Sequence, residues 1–110
     1  MLVCDTLIRN ARVIDGSGGD SRAVDIAVAG DGIIAIGADL DCVAGEVIDG
    51  SGHVLAPGFI DVHTHDDTNL IRTPEMLPKL SQGVTTVIVG NCGISASPVS
   101  LRDDLRRLRV

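Results

Sequence analysis

His63 and His65 stand two residues apart at the end of the apolar run PGFID, and Cys92 follows a second run, VTTVIVG, in the string GNCG. Neutral imidazole is the commonest metal ligand among side chains, and a thiolate adds a soft, charged donor that favours zinc. At strand spacing the two imidazoles leave the same face of the backbone. A hydrophobic strand ending on two same-face imidazoles suits a divalent cation better than a packed core. Alone, an HxH pair is a modest signal, and a lone cysteine is more often a small buried hydrophobe. Together, each just past an apolar run, His63, His65 and Cys92 are the candidate metal ligands. Asp61 shares the histidines' face, and Asp66 and Asp67 are candidate acceptors for imidazole N–H groups. The plainer alternative for these two is a pair of loop carboxylates capping a crossover. His53 reads as a solvated turn residue, and Cys4 and Cys42 read as packing residues. Three scattered cysteines without a CxxC do not make a disulfide framework.

Two strands must present these groups. GFIDVHTH is extended and ends in polar residues, as a buried parallel strand does at its functional end. Thr73-Pro74-Glu75 has the form of a helix start, with Thr as N-cap and Pro in the first turn. Pro78 limits that helix to about two turns before Gly83. GVTTVIVG (83–90) is β-branched and reads as a second buried strand. Strand, short helical crossover and strand form a βαβ unit, whose parallel strands end in the same direction. His63, His65 and Cys92 then fall near the carboxyl ends of adjacent strands, where α/β folds place their sites.

Ahead of this unit, residues 1–57 are short strands with turn punctuation. TLIR (6–9) and ARVID (11–15) pivot on Asn10, and VDIAVA (24–29) is turned by Gly30-Asp31-Gly32 into IIAIG (33–37). EVIDG (46–50) and HVLAPG (53–58) add two more strand-like pieces. The fold class expected is mixed β plus α/β. A small antiparallel β-sandwich or barrel-like domain over 1–57 is followed by a βαβ unit within 58–110. SLRDDLRRLRV, with Leu101, Leu105 and Leu108 at helical spacing, reads as an amphipathic helix.

Composition narrows the function classes. The chain has 110 residues, is 45% apolar, and carries Phe59 as its only aromatic residue, so its core must be built from Val, Ile, Leu and Ala. Net charge is −6, with nine acids against three bases in residues 1–57 and an even balance after that. An acidic first half argues against a nucleic-acid partner. The cluster Arg102, Arg106, Arg107 and Arg109 reads as a solvated helix face. No GxGxxG or GxxxxGK[ST] string supports a nucleotide site. The amino terminus lacks a basic region, and no apolar run reaches the length of a membrane span, so a cytoplasmic chain without a membrane partner is expected.

PGFIDVHTH resembles the first barrel strand of the amidohydrolase superfamily, whose members lead from an N-terminal β-domain into a metal-bearing (β/α)8 barrel. HTHDD followed by PEMLPKLSQGVTTVIVGNCGIS is more selective and resembles the N-acyl-D-amino-acid deacylases, or D-aminoacylases. The resemblance runs from about Thr6 to Leu105 and is most specific over 61–95. It implies that His63 and His65 are first-strand metal ligands and that Cys92 is the thiolate ligand of a tightly held Zn2+. It implies a hydrolase that cleaves the amide of a small-molecule N-acyl-D-amino acid, giving a carboxylate and a free D-amino acid. A zinc ion in such a site activates water and polarises the amide carbonyl, while a carboxylate on a late strand moves the proton.

That general-base aspartate and the later histidines are expected beyond residue 110, so no catalytic residue is assigned within this chain. A (β/α)8 barrel needs roughly 250 residues. The chain therefore reads as an N-terminal part holding the first βαβ of such a barrel, and the LRRLRV ending reads as the product of a truncated or frameshifted gene. Self-association or a complementing fragment is expected to cover its open edge. The alternatives are a cyclic-amide amidohydrolase of dihydroorotase or hydantoinase type, and a non-catalytic metal-binding or structural remnant. Acyl-group and side-chain preference are not legible in these residues.

Overall fold

The computed structural model describes residues 1–96, so the expected helix over 101–108 and its arginine cluster lie outside the described residues. The chain divides into two compact units, Met1–Pro57 and a second beginning at Gly58.

The first unit is one mixed sheet. Its strands are β1 (Leu2–Val13), β2 (Arg22–Ala29), β3 (Gly32–Gly37), β4 (Cys42–Asp49) and β5 (Val54–Leu55). The order is β3-β2-β1-β4, with β5 also pairing β1. β1 with β2 and β2 with β3 are antiparallel, whereas β4 and β5 both run parallel to β1. This corrects the expected antiparallel sandwich or barrel: the described residues form an open mixed sheet. Strand signals in a sequence carry no direction. The chain leaves β3 at one edge and re-enters beyond β1, and such a crossover makes a parallel neighbour.

The two strands expected on either side of Asn10 are a single twelve-residue β1. Asn10 takes the left-handed conformation, φ 57°, and the register shifts between Ile8 and Ala11. A β-bulge absorbs the residue that sequence reasoning treated as a pivot. The expected hairpin at Gly30-Asp31-Gly32 is present, joining β2 to β3.

The core of this unit is small. Leu7 and Ala27, cross-strand partners in the β1/β2 register, are fully buried, and Cys4, Ala11, Val13 and Ile26 are nearly so. Asp25 is also buried, and its carboxylate accepts from Arg9 Nη1 (2.8 Å), the Asn10 amide (3.0 Å) and the Leu40 amide (3.1 Å). A buried carboxylate so satisfied pins the bulge of β1 to the segment between β3 and β4. Cys4 and Cys42 are joined as a disulfide across β1 and β4, with Cα atoms 6.7 Å apart. Both also pack in the core as expected, Cys4 buried and Cys42 against it, and the link between them is what the packing reading did not include. The parallel register sets Cys4 beside Ala44 and Leu2 beside Cys42, so residues 38 apart in sequence become neighbours.

The second unit contains β6 (Phe59–Asp61), α1 (Asp67–Arg72), α2 (Leu77–Leu80) and β7 (Val84–Val87), with β6 and β7 parallel. The strand–helix–strand order matches expectation, but the helices differ. Thr73 ends α1 rather than starting a helix. It precedes Pro74, whose ring disfavours helical backbone in the residue before it, and Thr73 sits at φ −136°, ψ 72°. Pro78 falls in the first turn of α2, where a missing N–H costs little. The strands expected to be buried are open among the described residues: Phe59, Ile60 and Val62 are each 60% exposed or more. A two-stranded sheet with helices of six and four residues cannot cover both of its faces.

Candidate metal centre

β6 ends at Asp61, so His63 and His65 lie just past it rather than within it. Pairing nevertheless continues beyond the strand ends. The Ile88 amide donates to Asp61 O (2.8 Å), and the Thr64 amide donates back to Ile88 O (3.1 Å). Thr64, between the histidines, points inward and is buried, and its hydroxyl donates to the same Ile88 carbonyl at 3.1 Å. Alternation therefore turns His63 and His65 outward together.

β7 delivers the third donor. After Val87 the chain passes Gly90 (φ 81°) into a 3-10 turn, Asn91–Gly93, with Cys92 in the left-handed region at φ 58°. That conformation costs a non-glycine residue about 1–2 kcal/mol. The Asn91 side-chain amide helps hold it, donating to Ile88 O (3.0 Å) and Thr64 O (3.3 Å) and so tying the turn to both strand ends.

The result is a cluster. One ligand atom each from His63, His65 and Cys92 lies within 4.8 Å of the others, and all three residues are exposed. Cys92 Sγ is 3.5 Å from His63 Nε2, and the two imidazoles stand edge to face with centroids 5.7 Å apart. A tetrahedral zinc with Zn–S of about 2.3 Å and Zn–N of about 2.05 Å needs a sulfur–nitrogen separation of about 3.6 Å. The 3.5 Å between Cys92 Sγ and His63 Nε2 matches that separation. Two imidazole nitrogens and a thiolate sulfur form a borderline-soft donor set that leaves a fourth position open.

The carboxylates near the site face amides and an ammonium, and Asp61 lies beside His63 as expected. Asp61 is turned to Lys79, with Nζ 2.6 Å from its Oδ2, and its Oδ1 accepts the His63 amide at 3.3 Å. Asp66 lies 3.2 Å from the same ammonium and accepts from Asn69 Nδ2. Asp67 accepts the Ala96 amide at 2.9 Å, and its other oxygen is buried without a hydrogen-bond partner among the described residues. The hydrogen bonds described for Asp66 and Asp67 thus go to amides rather than to imidazole, and Asp66 Oδ2 is ion-paired with the ammonium, which is closer to the plainer alternative of loop carboxylates at the crossover. The hydrogen bond from Lys79, then that from the His63 amide, hold the Asp61 carboxyl below its ordinary 3.8. In return Asp61, then Asp66, raise the Lys79 ammonium above 10.5. His53 belongs to the first unit, where its exposed imidazole makes its described hydrogen bond to the Ser51 carbonyl, as a solvated turn residue would.

Sequence reasoning overlooked three of these residues. Thr64 was legible in principle, since alternation sends the residue between two outward histidines inward. Asn91 had a weaker signal, an amide side chain between Gly90 and the candidate thiolate. Lys79 is the only lysine in the chain, yet nothing local linked it to residues 13 and 18 positions earlier.

Residues 46–104 match the sequence pattern described as the amidohydrolase family. The chain is 55% identical over 98 residues to an N-acyl-D-aspartate deacylase of Alcaligenes xylosoxydans xylosoxydans, covering 89% of this chain and 20% of that protein. A D-aminoacylase of the same organism is 53% identical over 96 residues, covering 87% of this chain and 20% of the relative. A solved structure of N-acyl-D-glutamate deacylase from Bordetella bronchiseptica superposes with a TM-score of 0.83 at 44% identity, over 92% of this chain and 21% of that one. That structure is a complex with zinc and a phosphonate inhibitor that mimics the reaction's tetrahedral intermediate. The chain spans about a fifth of the length of the curated relatives it matches.

Proposed function

The chain belongs to the amidohydrolase family, and from that premise we propose that it supplies the first part of the zinc centre of an N-acyl-D-amino-acid deacylase. Met1–Pro57 is the accompanying β-domain, and the unit from Gly58 is the start of a (β/α)8 barrel. The observation that carries the reading is the convergence of His63, His65 and Cys92 within 4.8 Å at the ends of two parallel strands. The likeness to deacylases, one of them solved with zinc, supports the choice of reaction and metal.

His63 and His65 would each give the metal a ring nitrogen, and Cys92 would give a thiolate. Bound there, zinc supplies Lewis-acid polarisation of an amide carbonyl and a lowered pKa for water. The chain's own residues do the holding. Thr64 and Asn91 lock the ends of β6 and β7 together, and the turn Asn91–Gly93 aims the sulfur at His63. The substrate is a small N-acyl-D-amino acid, cleaved to a carboxylate and a free D-amino acid. The proton-transferring carboxylate belongs to a later strand of the barrel, so this chain provides metal ligands rather than the base.

Zinc titration with elemental analysis tests the reading. One zinc per chain is expected, lost in Cys92→Ala and in His63→Ala while the far-UV circular dichroism of both variants stays unchanged. A wild-type chain that takes up no zinc, or a Cys92→Ala variant that binds it equally well, would overturn the assignment.

A further inference from the structure

Lys79 has no place in the ligand set, yet among the described residues it is bound more tightly into the structure than any other cation near the site. Its ammonium lies 2.6 Å from Asp61 Oδ2 and 3.2 Å from Asp66 Oδ2, and its side chain is only 30% exposed. Those two aspartates bracket the segment that carries His63 and His65. Asp61 is the last residue of β6, Asp66 is the residue before α1, and Lys79 stands on α2.

We infer that Lys79 is a positioning residue for the metal centre, a clamp whose one charge closes both ends of the histidine segment. The inference rests on the reading that His63, His65 and Cys92 hold a metal.

Two physical consequences support the clamp. With both carboxylates on one ammonium, residues 62–65 span a fixed gap, and Asp61 Oδ1 is left oriented to accept the His63 amide. Removing the charge would leave two carboxylates, one of them only 13% exposed, facing each other without a cation. Like charges repel, and the segment between them would open. Freed carboxylates are also hard oxygen donors beside a softer nitrogen–sulfur set, and they would compete for the ion in place of the imidazoles. Groups that orient metal ligands in this indirect way typically cost ten- to a hundred-fold in metal affinity when removed.

The experiment is a Co2+ and Zn2+ titration of the full chain as wild type, Lys79→Met and Lys79→Arg. It is read by the visible Co2+ spectrum with its sulfur charge-transfer band, and by competition with a chromophoric chelator. Lys79→Met should bind about ten- to a hundred-fold more weakly, with a weakened tetrahedral Co2+ spectrum. Lys79→Arg, whose planar fork can reach both carboxylates, should return to within a few-fold of wild type. If Lys79→Met loses the β6–β7 pairing, judged by exchange of the Ile88 amide, Asp66→Asn serves instead. It breaks one arm of the clamp, leaves Asp61 paired, and should give a smaller loss of affinity. Wild-type affinity and spectrum in Lys79→Met, or in Asp66→Asn where that variant serves, would overturn the clamp while the metal assignment stood. A wild-type chain that binds neither ion would instead overturn the assignment beneath it.

Discussion

Replacing Gly58 by alanine tests whether the approach of β6 to β7 is what brings the ligands together. A Cβ built on Gly58 lands on Thr85 Oγ1 and Cγ2 and comes within 2.7 Å of Thr85 Cβ. Rotating the threonine cannot relieve the last contact, because that atom is fixed to the backbone. The two strands must separate by about 0.7 Å to restore ordinary contact at 3.4 Å. Overpacking of this kind costs about 1–3 kcal/mol.

The amides that bridge the strands report that cost directly. The Phe59 amide donates to Gly83 O and the Ile88 amide to Asp61 O, both at 2.8 Å. If opening of this pair limits their exchange, 1–3 kcal/mol raises the hydrogen-exchange rate by about five- to a hundred-and-fifty-fold. Zinc binding should weaken in parallel, since ligand positions matter to about 0.2 Å. Gly58→Ala combined with Thr85→Gly removes the obstructing side chain. That pair should recover most of the loss, less about 0.5–1 kcal/mol for a glycine inside a strand. Exchange unchanged within twofold at both amides in Gly58→Ala, or no recovery in the double variant, would refute the reasoning.

Three further outcomes are expected. Leu7→Ala, at the one fully buried large side chain among the described residues, should destabilise the first unit by about 3–5 kcal/mol in urea unfolding and leave the histidine and cysteine resonances of the second unit in place. Asn91→Ala removes two hydrogen bonds to Thr64 O and Ile88 O. It should cost about 1–2 kcal/mol and lower zinc affinity, whereas equal affinity would show that the turn holds Cys92 without it. Asp15 is held below 3.8 first by the Ser17 hydroxyl and then by the Ser17 amide. Because the folded value is depressed, that contribution is present above about pH 3.9 and is lost as pH falls through the lower folded pKa. Ser17→Ala should move the Asp15 carbon titration up towards 3.8 in an NMR experiment, and an unmoved midpoint would contradict the assignment.

Much of the site is legible in the amino-acid sequence itself. The spacing His63-Thr64-His65 sends two imidazoles to one side because extended backbone has a period of two. Parallel strands joined by a helical crossover end in the same direction, which places Cys92 near them. Local chemistry also marks Asn10, Pro78 and the Gly30-Asp31-Gly32 turn, each of which constrains its own backbone. Strand direction, by contrast, follows from how the chain crosses the sheet, and only the tertiary structure makes β4 and β5 parallel partners of β1. The same register brings Cys4 to Cys42 across 38 residues. Burial is likewise undecided locally: the apolar run at Phe59–Val62 reads as a core strand, yet it is covered only if further elements pack over it. The ammonium that joins Asp61 to Asp66 is the least visible feature of all. A charge pair is a matter of three-dimensional proximity, and Lys79 reaches its partners because α2 packs against β7, the strand paired with β6, which no spacing in the sequence records.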